Sequence, residues 1–273
     1  MPAILVIPAL VLVTLVLLPV QWAAVALKLP IRRIVPLAYH RVLLRLLGVR
    51  VWVSGEPARG RPLLVVANHV SWLDIPVLGS LFPLVFVAKQ EIAGWPVFGL
   101  LAKLQRSVFV DRSRRLKTGD VNAEIAARMA EGEPVVLFGE GTSSDGNRVL
   151  PFRSALVGAA HDALGSAADG KVTMQPVSIA YTRLDGLPMG RFLRPHVAWY
   201  GDMDMPPHLM NLLKRSAIDV VVSFGPPVPF DGNSGRKETT RSLESAVRAM
   251  TAAALLGRDL PHTAAVPFLP ETR

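Results

Sequence analysis

Across residues 2–27 no side chain carries a charge, and most are Ala, Val, Leu or Ile. As one helix this run measures about 39 Å at 1.5 Å per residue, against ~30 Å for a bilayer's hydrocarbon core. No other feature limits the fold as strongly, because so apolar a run needs cover from protein or lipid. Pro8 and Pro19 are each able to kink or split a helix, so a tilted span and a hairpin re-entering one leaflet both stay open. Ala24-Val25-Ala26 has the small-x-small look of a signal-peptide cleavage site. No basic residue precedes the apolar run, however, and the run exceeds a usual signal core in length. The segment is therefore read as an uncleaved membrane anchor.

Lys28, Arg32, Arg33, Arg41, Arg45 and Arg50 follow directly. Basic residues flanking an apolar segment stay on the cytoplasmic side and attract anionic headgroups. Between them Ile34, Leu37, Ala38, Val42 and Leu46 recur near helical spacing. That pattern fits an amphipathic helix on a membrane surface, and a core-facing helix shares it. Residues 1–47 thus form an anchor plus amphipathic helix, placing the rest of the chain at the cell membrane, on its cytoplasmic face. The mean hydropathy of +0.36 comes from this end of the chain. The net charge of +9 suits anionic membrane or acidic partners. With 7% aromatics and no RNP-like, zinc-finger or long basic-helix pattern, nucleic acid is excluded as a partner. The absence of cysteine removes disulfides, thiolate metal sites and a cysteine nucleophile.

Beyond Gly48, strand-like apolar runs at 51–53, 63–67, 84–88, 108–110, 135–138, 172–179, 196–200 and 218–224 alternate with helix-like stretches. The helical stretches fall at 75–81, 95–104, 117–130, 154–164 and 237–256. This alternation predicts an α/β fold, a mixed and largely buried β-sheet flanked by helices. One domain spans 48–257, and 258–273 reads as a tail.

The chemistry is concentrated in Asn68-His69-Val70-Ser71-Trp72-Leu73-Asp74, which follows a buried strand and leads to Pro76, near a helix start. On one continuous helix His69 and Asp74 would point about 140° apart, so a loop has to bring them together. A strand-to-helix turn supplies such a loop. Imidazole takes a proton from an alcohol near neutral pH, and a carboxylate on its other nitrogen fixes the tautomer. A bland reading is equally available from spacing alone: a surface histidine beside a helix-capping Asp74.

Three later segments accompany this one in order: Val108-Phe109-Val110-Asp111-Arg112, Phe138-Gly139-Glu140-Gly141-Thr142-Ser143-Ser144, and Gln175-Pro176-Val177-Ser178-Ile179. Together the four blocks resemble those of the glycerolipid acyltransferase family, and the likeness extends to residues 218–227. The resemblance implies that His69 deprotonates an acceptor hydroxyl and Asp74 orients it. It places Arg112 near the acceptor headgroup and Glu140 on acceptor polar groups. The Gly141–Thr142 backbone would lie against the reacting carbonyl, where N–H groups stabilise an oxyanion. The segment 175–180 is read as a core strand and the wall of an acyl tunnel. Two departures stand in the third block: Gly139 replaces the usual proline and Ser143 the usual arginine, a fork-shaped phosphate binder. Residues 140–156 look like the branch acting on lyso-ornithine lipids, whose headgroup is an amino acid without phosphate.

The resemblance implies O-acyl transfer from an acyl carrier protein or coenzyme A thioester to the hydroxyl of a lysolipid, with lyso-ornithine lipid favoured. Transfer to 1-acylglycerol 3-phosphate, giving phosphatidate, is the alternative. A hydrolase is disfavoured because no G-x-S-x-G elbow or H-E-x-x-H site occurs. A non-catalytic membrane adaptor would have no use for the His/Asp pair. His40, His161, His196, His208 and His262 lack ligand spacing, so neither metal nor cofactor is expected.

Overall fold

The structure, a computed structural model, describes residues 3–110, 118–154, 158–167, 170–215 and 217–258. Helix α1 (Ala3–Ala26) runs through Pro8 and Pro19 as one element. Its inner face recurs at helical intervals: Val6, Leu10, Thr14, Gln21 and Ala24. Val6 is buried in one cluster with Leu44 and Leu47, and Leu10 packs against it. The Thr14 and Tyr39 hydroxyls lie 3.1 Å apart. Gln21 donates Nε2 to the carbonyls of Leu104 (2.8 Å) and Arg32 (3.0 Å). The opposite face, with Ile4, Val11, Leu12, Leu15, Val16 and Trp22, is exposed.

A 3-10 turn (Pro30–Arg33) leads into α2 (Ile34–Leu46), which buries Val35, His40 and Leu44. The stripe read from the sequence is not the buried one: Ile34 and Ala38 are exposed and Leu37, Val42 and Leu46 half-buried, while Val35, His40 and Leu44 turn inward. This inward side meets the body of the protein, and α1 lies against the helix from outside.

Among the described residues nine strands form a single sheet. They are β1 (Val49–Ser54), β2 (Leu63–Ala67), β3 (Val85–Lys89), β4 (Val108–Val110), β5 (Val135–Phe138), β6 (Val172–Leu184), β7 (Leu187–Pro188), β8 (Ile218–Phe224) and β9 (Val228–Phe230). The order is β1-β8-β6-β2-β5-β3-β4, with β7 and β9 also on β6. Parallel pairing joins β2 to β5 and β6, β5 to β3, β3 to β4 and β1 to β8, whereas β6 runs antiparallel to β7, β8 and β9. Every residue of β2, β5 and β8 is buried, as expected for strands covered on both faces. Helices α3 (Asp74–Gly79), α4 (Pro96–Leu104), α5 (Thr118–Ala130), α6 (Gly158–Ala163), α7 (Met205–Leu213) and α8 (Arg236–Leu255) complete the mixed α/β architecture.

The run at 196–200, expected as a strand, is not one. A 3-10 turn occupies Arg194–His196, and the amides of Val197 and Ala198 both bond back to Arg194 O at 3.0 Å. Val197 and Ala198 are fully buried because this segment covers the loop after β2, where Trp199 N donates to Val70 O at 2.9 Å. Helix α7 went unread because Pro206 and Pro207 look like breakers, whereas the first helical turn tolerates proline. The stretch expected to be helical at 154–164 is partly outside the described residues, as is all of the tail except Arg258.

Candidate active site

Strands β2 and β5 are parallel neighbours in the register Ala67↔Phe138. Their carboxyl ends therefore meet at one edge of the sheet, the usual place for a ligand crevice in such folds. His69 follows β2 by two residues and stacks on the Phe138 ring, centroids 4.0 Å apart and planes 14° from parallel. Asn68 extends the ladder with its side chain: Nδ2 donates to Ile179 O (2.9 Å), and Ile179 N donates to Oδ1 (2.8 Å). The backbone leaves β2 with its direction fixed by β6.

Asp74 opens α3 and is fully buried. Its side chain does not cap the helix; it turns back into the loop. Oδ2 accepts from Val70 N (2.7 Å) and Ser71 N (3.0 Å) and meets His69 Nδ1 at 2.8 Å, while Tyr181 OH donates to Oδ1 at 2.8 Å. A carboxylate acceptor makes Nδ1 the protonated nitrogen of His69 and leaves Nε2 with a free lone pair. That is the tautomer a general base needs. Burial, with the charge of Asp74 beside it, raises the Tyr181 phenol well above its ordinary pKa. Tyr181 therefore stays a neutral donor.

The loop after β5 is bound to the loop after β2. Gly139 N donates to Ala67 O (2.8 Å) and Ser144 N to His69 O (2.9 Å). Gly141, at φ +69°, donates its amide to Phe138 O at 3.0 Å. This bond commits the Gly141 N–H to the turn. Thr142 is exposed, and its amide and that of Ser143 take no partner among the described residues. These two amides, rather than that of Gly141, are the ones available to an oxyanion. A side chain at Gly139 would collide with the Phe152 ring, 2.6 Å from where a Cβ would sit, which accounts for the absence of proline there.

Glu140 is 2% exposed, and neither carboxylate oxygen has a hydrogen-bond partner. Burial pushes its pKa up to about 8, opposed by the nearby amides of Leu150 and His69 and reinforced by the charge of Asp74. Arg112 lies in 111–117, outside the described residues. His69, Asp74, Glu140, Gly141 and Thr142 thus gather at one sheet edge.

Several neighbours were not singled out from the sequence. Tyr181 was detectable as a polar-tipped aromatic within the buried aliphatic run of β6. Arg194, 8% exposed, donates Nη1 to Asn147 Oδ1 at 2.7 Å and Nη2 to Met189 O at 2.9 Å. Trp72 Nε1 donates to His208 Nδ1 at 3.1 Å. No cluster of three or more His, Cys, Asp or Glu able to hold a metal occurs among the described residues.

The family model described as Acyltransferase matches residues 50–180. A lyso-ornithine lipid O-acyltransferase of Brucella abortus (strain 2308) is 49% identical over 94% of this chain and 97% of its own. Another, from Rhizobium meliloti (strain 1021), is 47% identical over 96% and 92%. A 1-acyl-sn-glycerol-3-phosphate acyltransferase of Neisseria gonorrhoeae is 31% identical over 72% and 73%. The crystal structure of the 1-acyl-sn-glycerophosphate acyltransferase PlsC from Thermotoga maritima superposes with a TM-score of 0.56, at 24% identity, covering 80% of this chain and 77% of that one. Its likeness supports the fold.

Proposed function

Since this chain belongs to the acyltransferase family, we propose that it transfers a fatty acyl group from a thioester to the free hydroxyl of lyso-ornithine lipid, with His69 as the base. The observation that carries the mechanism is the His69–Asp74 pair, 2.8 Å apart at the carboxyl ends of β2 and β5 with Nε2 unencumbered. His69 Nε2 takes the hydroxyl proton as the oxygen attacks the thioester carbonyl. The Thr142 and Ser143 amides receive the developing oxyanion, and the imidazolium returns its proton to the departing thiolate. Ester and free thiol result. Asp74 holds the ring in place and stabilises the imidazolium between these steps.

The choice of acceptor rests on the similarity to the Brucella and Rhizobium enzymes and on Ser143, which lacks the guanidinium fork that grips a phosphate. Arg112 remains the proposed headgroup contact and Glu140 the acceptor contact. The similarity to the Neisseria enzyme carries the alternative, 1-acylglycerol 3-phosphate, with Arg112 or Arg148 in place of the missing arginine. The donor is an acyl carrier protein or coenzyme A thioester, and the positively charged chain favours the acidic carrier protein.

The docking of α1 bears on the membrane. From Val6 to Ala24 its inner face lies on the body of the protein and its outer face is apolar and exposed. To span, the helix would draw Arg41 and Arg45 of α2 into hydrocarbon, at about 2.5–3.5 kcal/mol each at mid-depth. We propose instead that α1 lies in the plane of the cytoplasmic leaflet, as the anchor of residues 1–47, with the catalytic unit 48–257 against the headgroups.

Membranes bearing the chain, supplied with acyl carrier protein thioester and both acceptors, test the reaction. Ester should form from lyso-ornithine lipid in preference to 1-acylglycerol 3-phosphate. His69→Ala should lower kcat by about 10² to 10⁴. Product undiminished in the variant would remove His69 from the mechanism, and preference for the phosphate acceptor would reverse the substrate assignment.

A further inference from the structure

Between β6 and β8 the chain makes a long excursion, and the turn at 190–194 presents an unusual surface. It is firmly held. The amides of Leu193 and Arg194 both bond to Gly190 O, at 3.1 and 3.2 Å. Asn147 Nδ2 donates to Arg191 O at 3.2 Å. The buried Arg194 guanidinium fastens the turn to Asn147 and to Met189 O. On this clamped turn Phe192 is 94% exposed, with Leu193 and, on β7, Leu187 also exposed. Exposed single apolar residues are ordinary on a protein surface. Three on one rigid tip, flanked by the exposed cations Arg183 and Arg191, are a different matter.

The tip is linked to the first turns of α1, on their inner side, through a series of neighbours. Val6 of α1 lines a crevice with Leu213 and Arg215 at the end of α7. Arg215 lies 3.8 Å from Asp185, in the turn that leads to Leu187. Met210 of α7 is exposed as well.

We propose that the 187–193 tip is a second membrane contact. Phe192 enters the boundary between headgroups and acyl chains of the leaflet that holds α1, and Arg191 and Arg183 face lipid phosphates. The proposal rests on the in-plane reading of α1. Aromatic side chains favour this boundary, and basic neighbours add attraction to an anionic leaflet. Because Arg194 also grips Asn147, in the loop that carries Glu140 and Thr142, the tip sets the rim of the active site at the lipid surface. The acceptor then slides from the leaflet into the site without crossing water.

The chain contains no cysteine, so single labels are clean. Phe192→Cys, Leu12→Cys on the outer face of α1 and Lys237→Cys on exposed α8 would each carry an environment-sensitive fluorophore. The full-length protein would be placed on vesicles of phosphatidylcholine and phosphatidylglycerol, with nitroxide-bearing lipid as quencher. The labels at 192 and 12 should shift to the blue and be quenched, and that at 237 should stay aqueous. An aqueous label at 192 beside a quenched label at 12 overturns the tip alone. Aqueous labels at both overturn the in-plane helix together with it. A kinetic arm separates membrane contact from structural support. Phe192→Ser should raise KM on vesicle-borne acceptor by roughly tenfold, the scale of an aromatic side chain's transfer free energy, and leave turnover on detergent-dispersed acceptor unchanged. Equal losses on both would assign Phe192 to the fold instead.

Discussion

Glu140 keeps a carboxyl in the interior with no hydrogen bond to either oxygen and its pKa raised to about 8, chiefly by burial. An unfolded chain ionises this group near its ordinary value of 4.5. Between those two values the unfolded state has released a proton that the folded state retains, so stability falls as pH rises. The contribution is complete below 4.5 and gone above about 8. Glu140→Gln removes the titration, so the variant should gain on the native chain as pH climbs through that window, by up to about 4 kcal/mol. Thermal midpoints in detergent measured at intervals from pH 5 to 8 check this; parallel curves would mean that Glu140 is already ionised. The same variant should turn over poorly, because the proposed acceptor contact loses its carboxyl group. The pairing of His69 with Asp74 was legible in the sequence because only five positions separate the partners. Tyr181, which shares Asp74, lies 107 positions away. Only the placement of β6 beside β2 brings the two together, and no local spacing encodes it.

At the scale of elements, the loop between β5 and α6 is closed by a single fit. Gly139 leaves room for Phe152, whose amide is held by Glu244 of α8 at 2.8 Å. Gly139→Ala should therefore cost about 1–3 kcal/mol by overpacking and lower kcat as the Thr142 and Ser143 amides shift. Adding Phe152→Leu should restore part of both losses, whereas additive defects would show that Gly139 and Phe152 do not compete for one space. Thermal melts and initial rates on the single and double variants decide it. Element type was readable wherever apolar runs had both the length and the period of one class, as in β2, β6, β8 and α8. The run at 196–200 misled because burial alone resembles a strand. Its residues are buried as cover over a loop, and the preceding Pro195 and the bonds back to Arg194 leave no ladder to join. Helix α2 was readable as a helix, but apolar residues lie on most of its sides, so the stripe from Ile34 to Leu46 did not reveal that Val35, His40 and Leu44 are the ones buried.

For the molecule as a whole, the decisive feature is the contact of α1 along its length with the body of the protein. If the helix lies in the leaflet plane, both of its ends stay on one side of the membrane. A cysteine at position 3 and one at Lys237 should then react with an impermeant maleimide from the same, cytoplasmic face of sealed vesicles. Reaction of position 3 from the opposite face would establish a span and detach α1 from the position described. The apolar run announced lipid from the sequence, but its inner face of Val6, Leu10, Thr14 and Gln21 is nearly hidden there, since the outer face is as apolar as the inner. Only the pattern of burial separates them.

A helix held in the leaflet plane, as proposed above, would also confine the enzyme to two dimensions. The cleft would then sample one leaflet by lateral diffusion and meet substrate according to the fraction of that leaflet the acceptor occupies, whatever the bulk concentration. Diluting the acceptor with inert lipid at constant total amount should slow the reaction as surely as withdrawing it, and the diacyl product enters the monolayer in which its precursor arrived.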